Sequence, residues 1–294
     1  MNIFSRIKFI FMHPLNKDHK IATAFRILKW QINTKLNPYP VIYPFTEFSK
    51  LIIQRGMTGA TGNIYCGLHE YHDMAFLLHL LRKEDSFVDI GANIGSYTIL
   101  ASGHVGATTF SFEPVPSTFA HLVGNISINR IQEKATAYNI ALGSSRGNIG
   151  FNTGSLDTMH HVAEKNEPVT LNVPVEILDD VMRNKQVPLL LKIDVEGFET
   201  EVINGAMQTL QQEGLKAIII ELNGSGLRYG YNEDEIHKTL GNLKFKAFKY
   251  NPKERLLKPV DSLGTYNTIY IRDIDFVQQR LKLGPSIRIL NNEI

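Results

Sequence analysis

Short apolar runs, typical of strands covered on both faces, occur at residues 86–88, 109–112, 135–142, 189–193 and 217–222. Segments with helical spacing lie between them: residues 96–101, then Phe119, Leu122, Val123 and Ile126, then Val202, Ile203, Ala206 and Leu210. This alternation predicts an α/β fold, a doubly wound parallel sheet with helices on both faces. Val169, Leu171, Val173 and Val175 instead keep a strict two-residue period, which predicts a strand with one solvent face inside an inserted region. A helix is expected over 74–81 and another over 233–241. The latter precedes a closing antiparallel pair at 244–250 and 266–272.

Ahead of this alternation the rhythm changes. Ile21, Phe25, Leu28, Ile32 and Leu36 recur at helical spacing, and the charge there is one-sided. Residues 1–50 hold Arg6, Lys8, Lys17, Lys20, Arg26, Lys29, Lys35 and Lys50 against Asp18 and Glu47, a net +6 that leaves −4 for the remainder of a chain of net charge +2. The expectation is a basic helical extension whose helix packs on the core and leaves its lysines in solvent. Weak contact with a membrane surface or an anionic partner is the alternative. A chain of 294 residues with 43% hydrophobic residues suits one α/β domain plus such an extension. Cys66 is the only cysteine, so an intrachain disulfide and a cysteine metal cluster are excluded. The apolar run at residues 9–12 is too short for a membrane span and is soon followed by Pro14 and Lys17, so a cytoplasmic protein is expected, with no nucleic-acid partner.

The candidate chemistry sits where strands end. Val88-Asp89-Ile90-Gly91-Ala92-Asn93-Ile94-Gly95 reads as strand, tight turn and helix start. Its glycines permit a close bend, and its amides face a helix N-terminus suited to carboxylate or phosphate. A dinucleotide fingerprint would read G-x-G-x-x-G, but Asn93 stands at the second glycine and Asp89 precedes the first. A carboxylate there repels pyrophosphate and can accept from an ammonium, which favours S-adenosylmethionine over NAD. Glu113 ends the next strand 24 residues after Asp89, near the spacing at which an acid meets ribose hydroxyls. The acid-rich end Lys192-Ile193-Asp194-Val195-Glu196-Gly197 would lie beside that site.

Taken together the chain resembles the FkbM family of S-adenosylmethionine-dependent methyltransferases over roughly residues 65–272. The resemblance rests on F-V-D-I-G-A-N-I-G-S-Y-T from Phe87, F-E-P from Phe112, N-I-A-L-G from Asn139, L-D-D from Leu178, K-I-D-V-E-G from Lys192 and I-I-E-L from Ile219. It implies a class I methyltransferase (Rossmann-like) sheet of seven strands with the last antiparallel, so the expected organisation is the basic, partly helical extension over 1–64, outside the resemblance, and an S-adenosylmethionine-binding methyltransferase domain over 65–294. It also implies that Asp89, Gly91, Asn93 and Gly95 surround the methionine end of the cofactor, that Glu113 meets the ribose, that Ala141 lies near the adenine, and that Asp194 and Glu196 line the transfer pocket. O-methylation of a sugar, glycolipid or polyketide-like hydroxyl is the implied reaction.

A protonated hydroxyl is a poor nucleophile, so a general base or an acidifying metal is expected. Asp194 and Glu196 are candidate bases, although Glu196 could instead cap the following helix or pair with Lys192. His160 and His161, in the insertion after Gly154-Ser155-Leu156-Asp157, are further candidates. His69, Glu70, His72 and Asp73 precede the 74–81 helix, where an N-terminal segment could cover the cofactor. None of these histidines has H-E-x-x-H spacing, so no metal site is predicted, though a metal shared by Asp194 and a histidine stays open. An NAD-dependent sugar oxidoreductase and a catalytically silent cofactor-binding module are the alternative functions.

Overall fold

The computed structural model describes residues 3–153, 160–164, 166–260 and 267–294. The chain opens with helices α1 (Ile3–Met12) and α2 (Lys20–Leu36), a hairpin of β1 (Val41–Pro44) and β2 (Lys50–Ile53), and helices α3 (Thr58–Cys66) and α4 (Tyr71–Leu80). Strand β3 (Ser86–Ile90) leads into α5 (Ser96–Thr98), which continues as π-helical Ile99–Val105. Next come β4 (Thr108–Phe112), α6 (Pro116–Asn129), β5 (Ala135–Tyr138), β6 (Ala141–Leu142), β7 (Gly147–Asn152), β8 (His161–Val162) and β9 (Leu171–Glu176). The remainder runs α7 (Leu178–Met182), β10 (Leu190–Ile193), α8 (Glu199–Asn204), α9 (Met207–Gln211), β11 (Ala217–Glu221), a 3-10 turn (Ser225–Tyr229), α10 (Glu233–Asn242), β12 (Lys246–Asn251), β13 (Leu256–Pro259), β14 (Asn267–Ile271), α11 (Ile274–Lys282) and a hairpin of β15 (Arg288–Ile289) and β16 (Asn292–Glu293).

The main sheet has the order β13-β12-β14-β11-β10-β3-β4-β5. Strands β5, β4, β3, β10 and β11 are mutually parallel, and β14 runs antiparallel between β11 and β12. These are the seven expected strands with the last reversed, and β13 adds an eighth by folding back on β12. Every residue of β3 and β10 is buried, because parallel strands are covered on both faces. Two apolar clusters do the covering: Phe76, Leu77 and Ile99 belong to one, Leu178, Val202 and Ile203 to the other.

Two expected elements are split. The 135–142 run breaks at Asn139, whose amide nitrogen donates to the carbonyls of Glu113 and Pro114, both at 2.9 Å. Its last residues then pair as β6 in a second sheet, β6-β9-β7-β8. The helix expected through Val202 to Leu210 breaks into α8 and α9 at Gly205, where a Cβ would lie 2.1 Å from the Gly143 carbonyl oxygen. In β9, Val173 and Val175 are buried while Asn172 and Pro174 are exposed, as the two-residue period predicts. The described part of the closing strand starts at Asn267, and Tyr266 lies outside the described residues.

The extension overturns one expectation. Leu15, Trp30, Phe45, Leu51, Ile53 and Met57 share the first apolar cluster with the domain that follows. The expected packing stripe of α2 does not: Ile21 is 77%, Phe25 68%, Leu28 54%, Ile32 48% and Leu36 80% exposed. What α2 buries is the opposite side, Thr23 and Trp30, with Arg26 donating at 2.7 Å to both Asn16 Oδ1 and the Tyr65 carbonyl. Periodicity located the helix and misjudged its inward face, because polar anchors with one tryptophan outweigh the aliphatic stripe.

Candidate active site

The site is built where the chain reverses direction across the sheet. Strands β3 and β10 pair with Asp89 opposite Lys192 and Ile90 opposite Ile193, so both end at one level. Ligands of open parallel sheets gather at such a point, beyond the carboxyl ends. After β3 the backbone passes through Gly91 at φ +74°, Asn93 at φ +51° and Gly95 at φ +91°. A Cβ on Gly91 would sit 1.8 Å from the Asp194 carbonyl oxygen, and one on Gly95 would sit 2.5 Å from Leu122 Cδ1. Both glycines are thus demanded by neighbouring protein atoms as well as by the left-handed turn.

Glu113, just past β4, fastens this turn. Its Oε2 accepts from the Asn93 amide at 3.0 Å and its Oε1 from the Val115 amide at 2.9 Å. Burial pushes its carboxyl up to about 7, the two amides pull the other way, and the Asp89 and Asp194 charges add to the rise. Phe112 stacks on Tyr138 with ring centroids 5.0 Å apart, and the break at Asn139 is followed by Ile140, Ala141 and Leu142 on an apolar wall of the pocket.

Across the pocket stands a knot of acids around one lysine. Lys192 Nζ lies 2.7 Å from Asp194 Oδ2 and 4.8 Å from the Tyr97 ring centroid. Burial opposes its charge, but the carboxylates of Asp194, Glu70 and Asp89 outweigh burial and raise its pKa. Asp194, Glu196 and Glu221 each bring a carboxylate oxygen within 4.8 Å of the others. So close a set does not ionise together. Glu221, at the end of β11, is held well above the usual carboxylate range by burial and then by the charges of Asp194 and Glu196. Glu196 rises to about 7 through burial and Asp194, against the pull of Arg228, His161 and Lys192. Neither alternative role of Glu196 is seen: Lys192 pairs with Asp194, and α8 has no side-chain cap, while Glu199 Oε1 accepts the amides of Val195 and Gly197 in the turn before it. Glu196, at φ +55°, is left on the pocket wall.

The second sheet closes the far side. Phe151 and Val162 line the pocket with His160 and Phe198, and Tyr229 donates to the Val162 carbonyl at 2.6 Å while meeting Phe198 edge to face. The empty space is about 790 Å³ including its open mouth.

Among the residues expected from sequence, Gly91, Asn93, Glu113, Ala141, Asp194, Glu196 and His160 line this pocket. Asp89, Gly95 and His161 are not on its wall. Asp89 lies beneath the turn, with Oδ2 accepting from the Thr98 amide at 3.1 Å and the Thr98 hydroxyl at 2.7 Å, while its Oδ1 has no hydrogen-bond partner among the described residues. His161 Nε2 lies 2.9 Å from Glu167 Oε2. The His69 to Asp73 group is not on the wall either: His72 Nδ1 meets the Tyr250 carbonyl, and Asn267 donates to both Glu70 and Asp73. Gly154, Ser155, Leu156 and Asp157 lie outside the described residues. Sequence reasoning missed Glu221, although it stands in the I-I-E-L segment at the end of β11, beside β10, which Asp194 follows. It also missed Glu199, two residues past the Gly197 turn.

Among the described residues two groups bring three metal-ligating side chains together: Asp194, Glu196 and Glu221, an all-oxygen set that suits a hard cation, and Glu164 and Glu167 with His161, a mixed set. The pocket's own chemistry fits S-adenosylmethionine. A carboxylate with spare lone pairs faces the β4 end, an apolar wall lies beside it, and a turn of close-packed backbone separates the two from the acids.

Residues 89–250, more than half of the chain, match the family described as the methyltransferase FkbM domain. A hexuronic acid methyltransferase, AglP of Haloferax volcanii, is 28% identical over 175 residues, covering 58% of this chain and 67% of that protein. Methyltransferase 1 of Beauveria bassiana is 28% identical over 147 residues, covering 42% of this chain and 59%, under two thirds, of that protein. A solved FkbM methyltransferase structure from Methylobacillus flagellatus aligns with TM-score 0.45 and 15% identity over 72% of this chain and 52% of that one.

Proposed function

The chain belongs to the FkbM methyltransferase family, whose methyl donor is S-adenosylmethionine, and on that premise we propose that it methylates a hydroxyl oxygen of a sugar, free or carried on a lipid. The observation that carries this reading is the pairing of two unlike walls in one pocket. Glu113 and the Gly91 to Asn93 turn form one, and Asp194, Glu196 and His160 form the other. The hexuronic acid substrate named for the Haloferax relative supports a sugar acceptor.

When bound, S-adenosylmethionine supplies an electrophilic methyl on a sulfonium. In this reading Glu113 accepts from the ribose hydroxyls while keeping its two amide partners, and Ile140, Ala141 and Leu142 cover the adenine. Asn93 and the turn hold the methionine end. Asp89 works from beneath that turn, its negative charge offsetting the ammonium without standing on the wall. On the acceptor side, Glu196 takes the hydroxyl proton, since a carboxyl poised near 7 is matched to that task at neutral pH. Asp194 is held by Lys192 and orients the hydroxyl. His160 with Phe151, Val162 and Phe198 shape the acceptor end, and packing there excludes water. An in-line displacement draws much of its rate from such positioning.

Incubating the protein with radiolabelled S-adenosylmethionine and a panel of uronic acids, neutral glycosides and glycolipids tests this. Label on a sugar oxygen is expected. Label only on nitrogen or carbon acceptors would refute the hydroxyl assignment.

A further inference from the structure

The outward stripe of α2 has no role in the fold as it stands. Its residues point away from Thr23 and Trp30. Contiguous exposed apolar surface on a well-anchored element marks an interaction site. Its chemistry narrows the partner. Helices α1 and α2 contain Arg6, Lys8, Lys20, Arg26, Lys29 and Lys35 and no carboxylate. Arg26 is spent on Asn16 and Tyr65, whereas the others are exposed and in no ion pair among the described residues.

An aliphatic and aromatic face flanked by cations, on a helix without acids, suits a surface that is apolar within and negative at its rim. A second copy of the chain suits it poorly, because a two-fold contact would set these lysines against one another. No helix among the described residues is long and apolar enough to cross a membrane. The 17 residues of α2, roughly 25 Å of helix at 1.5 Å per residue, would therefore lie flat.

We propose that α2 docks the protein on the surface of a bilayer containing anionic lipid, with Phe25, Leu28 and Ile32 entering the headgroup boundary and Lys20, Lys29 and Lys35 meeting lipid phosphates. The anchoring holds whatever the acceptor proves to be.

Flotation of the full chain with phosphatidylcholine vesicles, with and without phosphatidylglycerol, tests it. Binding is expected to the anionic vesicles and to be lost at high salt. Phe25→Ser with Ile32→Ser should weaken it more than tenfold while leaving thermal unfolding unchanged, since neither side chain supports the core. Lys29→Gln with Lys35→Gln should weaken it about 25-fold, at roughly fivefold per lysine. Failure to float with either vesicle would overturn the proposal. So would binding that survives the Phe25 and Ile32 substitutions, or a dimer seen by light scattering that those substitutions dissolve in a protein that ignores vesicles.

Discussion

The Asn93 amide donates to Glu113 Oε2 at 3.0 Å, joining the turn after β3 to the turn after β4 across the carboxyl edge of the sheet. One carboxylate thus both shapes the glycine turn after β3 and faces the pocket. Its other oxygen holds the Val115 amide, so little of Glu113 is free to move.

Glu113→Ala should therefore do two things. Affinity for S-adenosylhomocysteine should fall by roughly 1 to 3 kcal/mol as ribose hydroxyls lose a charged acceptor. The melting temperature should also drop, because two buried amides lose their partner. Calorimetric titration and thermal unfolding read the two effects separately, and an unchanged affinity would remove Glu113 from the ribose.

Gly91→Ala should abolish cofactor binding. The added Cβ would lie 1.8 Å from the Asp194 carbonyl, a backbone atom that cannot rotate aside, so the ends of β3 and β10 must part. Titration with S-adenosylhomocysteine checks this, and native affinity would show that the turn tolerates separation.

Turnover should rise as pH increases through about 7, because Glu196 must lose its proton to act as base. Glu196→Gln should remove that limb and lower turnover about 10² to 10⁴-fold. Glu221→Gln imitates the protonated form favoured by its burial, so it should keep the limb. The same groups make stability pH-dependent. Carboxyls raised in the folded state bind more protons than the unfolded chain between about pH 4.3 and their folded values, so stability falls as pH climbs through that window. Thermal unfolding against pH should show the fall, and Glu221→Gln should lessen its alkaline part.

Asp194→Asn should leave Lys192 a buried cation short of its 2.7 Å partner, at a stability loss of about 3 kcal/mol. Turnover should fall more than S-adenosylhomocysteine affinity does. Adding Lys192→Met should recover part of the stability and none of the turnover, which separates the structural role of the pair from its role at the acceptor.

Much of this was legible in the chain. The parallel strands were readable because burial on both faces demands unbroken apolar runs, and the turn after β3 because acids and glycines fall at strand ends. Glu113 and Asp194, which the structure brings to one pocket, stand out in the sequence for that reason. Glu221 does not, since an acid closing a strand carries no sign of which other strand end it will face. Glu199 escaped because capping a turn two residues back needs a left-handed backbone at Glu196 and Gly197 that residue identity alone does not announce.

The sequence by itself determined the alternation of strands and helices, the family's motifs and the helical period of the N-terminal segment. Tertiary structure decided which carboxylates share a pocket, that Asp89 lies beneath its turn, and that the aliphatic stripe of α2 faces water. The physical reason is common to all three. Periodicity reports that a helix or strand has an apolar face, but neighbours distant in sequence, here Glu221 beside Asp194, Lys192 opposite Asp89 and Tyr65 against Arg26, set which groups meet and which face turns inward.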